Sequence, residues 1–248
     1  MNVSTWVSRL FVAGLLVFAG AAQAAQSSAV FAYSGSPTPA QLQLTTTTGP
    51  VTLQATNAGW VDSSGSNNGS AVNRNYIAGT CGTDSCSGNG LETRNWFAFQ
   101  MPAGVTLTIT SATLSILVPN PTPPQQGVYT ITGPLVYTLY DVTSPAATFT
   151  GATAGLAQFN DLGTGVVYGT RSYTTADQGT SPAITLSPAA ITWLNTQNGN
   201  AIVLGGAATL QVPQAVPAPA FSVGSLSLLG LGILFAVGLL WRRGFARA

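Results

Sequence analysis

Apolar and hydroxyl-bearing side chains alternate along the middle of the chain. In Leu107-Thr108-Ile109-Thr110, and again in Ala112-Thr113-Leu114-Ser115-Ile116, every second residue is apolar, which is the period of a strand with one buried and one solvated face. Trp96-Phe97-Ala98-Phe99 is apolar throughout and is typical of a central strand. Comparable runs bounded by Gly, Pro, Asn and Asp predict strands at 41–47, 51–56, 94–100, 106–118, 135–142, 166–174, 183–186 and 201–205.

One segment of the chain has a helical pattern. Ser187 is a favourable N-cap and Pro188 suits the first helical position; the predicted helix runs to Asn198, and Gly199 ends it. The proline-rich segment 119–124 predicts a loop between two strands. Many short strands with a single helix predict an all-β fold built as an antiparallel β-sandwich.

The start of the chain has the organisation of a signal peptide. Arg9 is the only charged residue in 1–24, an apolar run follows it from Leu10 to Ala22, and Ala22-Gln23-Ala24 has the small-x-small pattern that signal peptidase recognises. We therefore expect signal peptidase to remove residues 1–24 and the mature protein, starting at Ala25, to be exported.

The end of the chain has the organisation of a membrane anchor. Residues 213–220 form a proline-rich linker, and the uncharged stretch 221–241 is 21 residues long, which as a helix spans about 32 Å and matches a hydrocarbon core of roughly 30 Å. Arginines follow at once, so the positive-inside rule places 242–248 in the cytoplasm. We expect a transmembrane helix that holds the domain before it outside the inner membrane.

This terminal arrangement also resembles a known class of sorting signal. The proline-rich lead, the short apolar helix and the arginine cluster are marked by Pro217, Pro219, Arg242 and Arg243. They resemble the PEP-CTERM and IPTL-CTERM signals of exported Gram-negative proteins over roughly residues 213–248, although Ala218 replaces the central glutamate of the first pattern. The resemblance implies that an exosortase-type membrane enzyme sorts the protein to the cell surface or the extracellular space.

The composition of the chain excludes several functional classes. There is no histidine and no lysine, and charged residues make up 5% of the chain, so Ser-His-Asp and Cys-His catalysis, His-ligated zinc, Schiff bases and P-loops are excluded. Residues 25–212 form one predicted domain with three arginines against six acidic residues. Without a cluster of cations there is no electrostatic footprint for nucleic acid.

The two cysteines of the chain lie close together in a glycine-rich stretch. Cys81 and Cys86 are separated by Gly-Thr-Asp-Ser, and export would place them where disulfides form and persist. A redox-active pair would have Cys-x-x-Cys spacing, which this segment lacks. The sequence therefore predicts a structural disulfide between Cys81 and Cys86.

The six carboxylates show no catalytic pattern. A glycosidase needs two carboxylates a few ångströms apart, and no such pair is visible in the sequence. Four of them stand among Gly, Ser, Asn and Thr, where they are expected to stabilise turns: Asp62, Asp84, Asp161 and Asp177. Asp62 with Asn67 or Asn68 has oxygen ligands that suit Ca²⁺, but the Asp-x-Asp-x-Asp-Gly run is absent. We expect no metal and no cofactor.

Three aromatic residues are candidates for contact with a glycan. Trp60, Tyr76 and Tyr173 lie in polar surroundings that are compatible with exposure, and exposed rings stack on sugars. Burial is the commoner fate of large aromatic side chains, so the sequence alone leaves both interpretations open. Trp96 and Trp193 lie in apolar patterns and are predicted to be core residues.

A second resemblance concerns the strands. Arg94-Asn95-Trp96-Phe97-Ala98-Phe99 followed by Ile109-Thr110-Ser111-Ala112-Thr113-Leu114 is similar to paired strands of jelly-roll modules in secreted bacterial proteins, including DNRLRE-type modules related to carbohydrate-binding domains. Segments 137–143 and 159–163 are similar to parts of PEP-CTERM proteins. The resemblance implies a jelly-roll-like sandwich, and we expect a non-catalytic surface or matrix protein associated with polysaccharide. The alternative is a carbohydrate-active hydrolase or lyase, which requires paired carboxylates in a cleft.

Processing at the signal sequence is directly testable. Because Ala22-Gln23-Ala24 ends an apolar run, the exported protein is expected to begin at Ala25. N-terminal sequencing of the protein recovered outside the cytoplasm measures this, and the detection of Met1 in that fraction would show that the segment is not a cleaved signal.

Overall fold

The computed structural model describes residues 39–70, 75–80, 90–104, 107–120 and 134–210. Strands dominate these residues: β1 (Ala40–Thr46), β2 (Gly49–Gln54), β3 (Asn57–Asp62), β4 (Asn67–Ser70), β5 (Gly79–Thr80), β6 (Glu92–Gln100), β7 (Ile109–Ile116), β8 (Leu135–Tyr140), β9 (Val167–Tyr173), β10 (Ala183–Thr185) and β11 (Ala201–Leu210). Three short helices accompany them: α1 (Ala146–Thr150), α2 (Leu156–Asp161) and α3 (Pro188–Leu194). One turn of 3₁₀ helix covers Thr175–Asp177.

The strands form two antiparallel sheets. The smaller sheet has the order β10-β7-β1-β2, and the larger has the order β4-β3-β6-β11-β8-β9, with β5 also paired to β6. At one side the sheets meet, because the Ser187 N–H donates to the Tyr168 carbonyl of β9 at 2.7 Å and Arg171 Nη1 of β9 donates to the Ala183 carbonyl of β10 at 3.4 Å. The two sheets are therefore joined along the β9–β10 edge.

The main hydrophobic core draws its side chains from both sheets. Leu42 and Leu114 of the smaller sheet are fully buried in the same cluster as Phe97 and Tyr137 of the larger one. One polar contact is enclosed with them, in which the Tyr137 hydroxyl donates to Asn95 Oδ1 at 2.5 Å. Alternation along the strands produces this arrangement, since every second side chain of β1 is buried. The predicted all-β fold with antiparallel sheets is confirmed.

A second, smaller core lies on the other face of the larger sheet. Trp96 of β6 is 1% exposed and packs against Phe149 of α1, with the ring centroids 5.5 Å apart. Phe159 of α2 belongs to the same cluster. The two helices have five and six residues, which is too short for stability in isolation, so burial of these rings holds them in helical form.

The predicted strands are confirmed, most of them with small shifts in their bounds, but β11 continues to Leu210 where the prediction ended at 205. The sequence missed three strands. β3, β4 and β5 contain Gly and Asn, which are depleted in strands. Gly59 and Gly69 are needed there because the Trp96 indole lies against both of them, and a Cβ at Gly59 would come within 2.7 Å of Trp96 Cζ2. A contact with a distant residue thus overrides the local preference.

The prediction of a single helix is wrong for the described residues, where α1 and α2 also occur. The helix that was predicted is confirmed at its start, since Ser187 Oγ accepts the Ala190 N–H at 3.4 Å. It ends at Leu194 rather than Asn198. Asn195 is the C-cap residue, and its side chain ties this end to the backbone of Ile109, accepting the N–H at 2.8 Å and donating to the carbonyl at 3.0 Å.

The predicted signal peptide, linker, terminal helix, disulfide and proline-rich loop fall largely outside the described residues. These predictions concern 1–24, 213–220, 221–241, the Cys81–Cys86 pair and most of 119–124. None of the helices formed by the described residues has the length and apolar character required to span a bilayer.

The close packing around Trp96 predicts the effect of a methyl group at Gly69. The added Cβ of Gly69→Ala would overlap the Trp96 ring, and such overpacking costs about 1–3 kcal/mol of unfolding free energy. Chemical denaturation of the variant measures the loss. Gly155→Ala is the matched control because its Cβ would have no neighbour closer than 4.0 Å. Equal stability of the two variants would contradict the proposed role of Gly69.

Candidate functional site

A cleft with a volume of about 320 Å³ lies at the ends of several elements. Its walls are the loop 141–146 that follows β8, Tyr168 of β9, Trp193 of α3, Gln197 just beyond that helix, and the first residues of β11. Aromatic, carboxylate, hydroxyl and amide groups therefore meet in one concave site, which is the usual composition of a small-ligand site.

Two aromatic rings form one wall of the cleft. The ring centroids of Tyr168 and Trp193 are 5.4 Å apart with an interplanar angle of 40°. Tyr168 is 5% exposed, whereas Trp193 is only partly buried at the margin of the main core. Ser187 fixes their relative position, because its N–H and hydroxyl donate to the carbonyls of Tyr168 and Val167. The pair forms a rigid apolar surface that borders the cleft.

Asp141 supplies the charge of the cleft. Its Oδ1 accepts the Val166 N–H at 2.6 Å, and the backbones of the two residues are also bonded at 2.9 Å. No group of the described residues donates to Oδ2. Burial, followed by the Asp141 charge, raises the pKa of Tyr168 to about 12, so this phenol stays neutral at physiological pH and is unsuited to act as a base.

The loop between Asp141 and α1 is held by the side chain of Asp161. This carboxylate accepts the N–H groups of Thr143 and Ser144, the latter at 2.8 Å, and the Thr143 hydroxyl at 2.9 Å. Gln158 Nε2 adds a bond to Ser144 Oγ at 3.2 Å. Both side chains come from α2, so the position of this helix determines the shape of the wall of the cleft.

Arg94 of β6 in turn holds α2 in place. Its Nη1 donates to the Phe159 carbonyl at 2.8 Å, and its guanidinium carbon lies 4.0 Å from the centroid of the Phe159 ring. Glu92 pairs with Arg94 Nε at 2.9 Å. The guanidinium passes so close to Gly163 that a Cβ there would overlap it. Arg94 therefore holds α2 through the carbonyl and the ring of Phe159.

Of the two interpretations that the sequence leaves open for Tyr76 and Tyr173, the structure has the buried one. Both side chains are fully buried in the main core. The Tyr76 hydroxyl donates to the Leu117 carbonyl at 3.1 Å, and the Tyr173 ring packs edge-on against Tyr137 with centroids 6.4 Å apart. Burial raises the pKa of Tyr173. The polar residues beside these tyrosines in the sequence belong to turns and solvated strand faces, so neither ring is available to a glycan.

Trp60 is partly exposed on β3. Its Nε1 is buried with no acceptor among the described residues. Since β3 and β9 are four strand positions apart in the larger sheet, Trp60 lies about 19 Å from the Tyr168 strand. The three aromatic residues singled out in the sequence are not brought together, and contact of Trp60 with a glycan stays a prediction.

The carboxylates that were expected to stabilise turns do so where the structure describes them. Asp62 Oδ1 accepts the N–H groups of Ser64 and Ser66 at 2.9 and 3.0 Å, and Asp177 caps its 3₁₀ turn and pairs with Arg171 at 3.1 Å. Asp84 lies outside the described residues. Within the described part of the chain, no group of three or more His, Cys, Asp or Glu side chains could hold a metal ion.

Sequence reasoning missed the residues that line the cleft. Trp193 was assigned to the core, and Tyr168 and Gln197 were not singled out. A helical projection of α3 contains part of the information needed to find Trp193, because this residue lies at the margin of the face that buries Ala190 and Leu194.

No family model matches the chain, and searches of curated proteins and of solved structures find no match.

Removal of the Asp161 carboxylate is predicted to loosen the wall of the cleft. Asp161→Ala leaves the Thr143 and Ser144 N–H groups without their acceptor, and we expect a loss of about 1–2 kcal/mol in unfolding free energy. Asp161→Asn keeps one acceptor oxygen and should lose less. Urea denaturation compares the two variants with the parent protein, and an unchanged midpoint for Asp161→Ala would show that the loop does not depend on this side chain.

Proposed function

We propose that the chain is an exported, non-catalytic surface or extracellular-matrix protein that associates with polysaccharide through the cleft beside Tyr168 and Trp193. The observation that carries this proposal is the aromatic pair next to hydrogen-bonding groups in one concave site. Aromatic faces cover the apolar C–H faces of sugar rings, while carboxylate, amide and hydroxyl groups bond the sugar hydroxyls. Asp141, Ser144 and Gln197 are the polar groups positioned for that purpose.

The number of carboxylates in the cleft favours binding over hydrolysis. Asp141 is the only acidic residue among the described residues that line it, whereas a glycosidase needs two carboxylates on either side of the scissile bond. Asp161 is engaged behind the loop by two N–H groups and a hydroxyl. The raised pKa of Tyr168 also disfavours proton abstraction by this residue, which a lyase would require.

The route of the protein through the cell is part of the same proposal. Signal peptidase would release the protein at Ala25, the helix 221–241 would hold it in the inner membrane, and an exosortase-type enzyme would then sort it to the surface or matrix. The jelly-roll-like form of the sandwich belongs here too. Its support is the pair of antiparallel sheets that share one core.

The proposal predicts glycan binding that depends on Trp193. Screening of the full-length protein against a glycan array should identify a bound polysaccharide, and Trp193→Ala should weaken that binding about tenfold through loss of the ring contact. Trp193→Phe keeps an aromatic face and should retain most of the affinity. Trp60→Ala tests the separate prediction for β3, and binding that depends on Trp60 but not on Trp193 would place the glycan outside the cleft.

Two results would overturn this function. One is the absence of binding to every glycan on the array by a folded protein. The other is turnover of a polysaccharide that Asp141→Asn abolishes, which would favour the alternative function of a carbohydrate-active hydrolase or lyase.

A further inference from the structure

The surroundings of the cleft are acidic. Asp141 lines it directly, and the Asp161 carboxylate lies behind the same wall, bonded to the N–H groups of Thr143 and Ser144. The described residues include two cations, and both are engaged elsewhere. Arg94 pairs with Glu92 under α2, and Arg171 pairs with Asp177. No cation of the described residues lines the cleft, so its charge disfavours an anionic ligand such as a uronic acid polymer.

The backbone fixes one oxygen of the Asp141 carboxylate before any ligand binds, and the other oxygen can still accept a hydrogen bond from a ligand. The Val166 N–H holds Oδ1 at 2.6 Å, while Oδ2 receives no hydrogen bond from the described residues. An ammonium group that donates to Oδ2 would form a charge-assisted bond, which is stronger than a bond from a neutral hydroxyl. Asp141 therefore discriminates between ligands by charge.

The aromatic wall adds a second attraction for the same charge. The faces of Trp and Tyr rings attract cations, and Trp does so most strongly. Trp193 and Tyr168 border the cleft together with Asp141. A carboxylate and two rings around one cleft are the groups that recognise ammonium ligands.

We propose that the cleft recognises a protonated amino group on the glycan, so that its ligand is a polysaccharide containing amino sugars without N-acetyl groups. This inference rests on the proposed polysaccharide association and specifies the class of ligand. Asp141 Oδ2 accepts the ammonium proton, Trp193 covers the adjacent face of the sugar ring, and the Ser144 hydroxyl is placed to bond a neighbouring sugar hydroxyl. The positive charge on the sugar determines specificity, and the rings supply affinity that is independent of charge.

The test compares two oligosaccharides of equal length that differ in charge. Isothermal titration calorimetry of the full-length protein with a glucosamine hexamer and with an N-acetylglucosamine hexamer, at a pH where the free amines are protonated, should give about fivefold tighter binding of the glucosamine hexamer. Added salt should reduce that preference. Asp141→Asn, which keeps an acceptor for the Val166 N–H, should remove the preference, so that this variant binds the two hexamers with equal affinity. Asp177→Asn is the control for a carboxylate outside the cleft and should preserve the preference.

The outcomes separate this inference from the proposed function. Equal affinity for the two hexamers, or a preference that survives in Asp141→Asn, overturns the inference while polysaccharide binding stands. If the protein binds a neutral or anionic glycan but not the glucosamine hexamer, the inference is likewise overturned while polysaccharide binding stands. If tetramethylammonium alone binds as tightly as the glucosamine hexamer and no glycan on the array binds, the ligand is a small cation and the polysaccharide function fails. Loss of binding to both hexamers in Trp193→Ala, with the preference lost only in Asp141→Asn, supports both proposals.

Discussion

The position of the cleft depends on the guanidinium of Arg94. From the middle of the larger sheet it donates to the Phe159 carbonyl and covers the Phe159 ring, and this sets α2 against the sheet. α2 then presents Asp161, which holds the backbone of Thr143 and Ser144, and that loop forms the wall beside Asp141. Two short helices without much stability of their own are thereby joined to a rigid sheet. This outer layer shapes the loop side of the cleft, whereas the aromatic side, Tyr168 and Trp193, borders the main core.

Every charged side chain in the described part of the chain takes part in a hydrogen bond or an ion pair. Glu92 and Asp177 pair with the two described arginines, and Asp62 and Asp161 accept backbone N–H groups. Asp141 differs from these four because it lines the cleft and its Oδ2 receives no hydrogen bond from the described residues. In a domain whose surface is largely Thr, Ser, Asn and Gly, a single such carboxylate dominates the local field, since few other charges oppose it.

The strands could be predicted from the sequence, but the site could not. Alternation in β7 and the apolar run in β6 are local signals, and both elements were predicted. β3 and β4 were missed because Gly59 and Gly69 are explained only by tertiary neighbours: the Asn68 backbone and the Trp96 ring at Gly59, and the Trp96 ring at Gly69. α1 and α2 were missed because Phe149 and Phe159 stabilise them by tertiary burial.

The cleft joins residues from 141 to 203, so its existence depends on the pairing of β8, β9 and β11, which no local pattern specifies. Local polarity around Tyr76 and Tyr173 indicated exposure for side chains that the fold buries completely.

The junction between β9 and β10 limits strand pairing between copies of the protein at this edge. An edge strand normally presents unpaired carbonyl and N–H groups that can recruit a strand from another molecule. Here the Ser187 amide and hydroxyl occupy the carbonyls of Tyr168 and Val167, and Arg171 occupies that of Ala183. Side chains and a turn of the same chain thus cover the edge that lies next to the cleft. A strand of a second copy that approaches this edge therefore finds the carbonyls of Val167, Tyr168 and Ala183 already bonded, so that two copies cannot join their sheets through them.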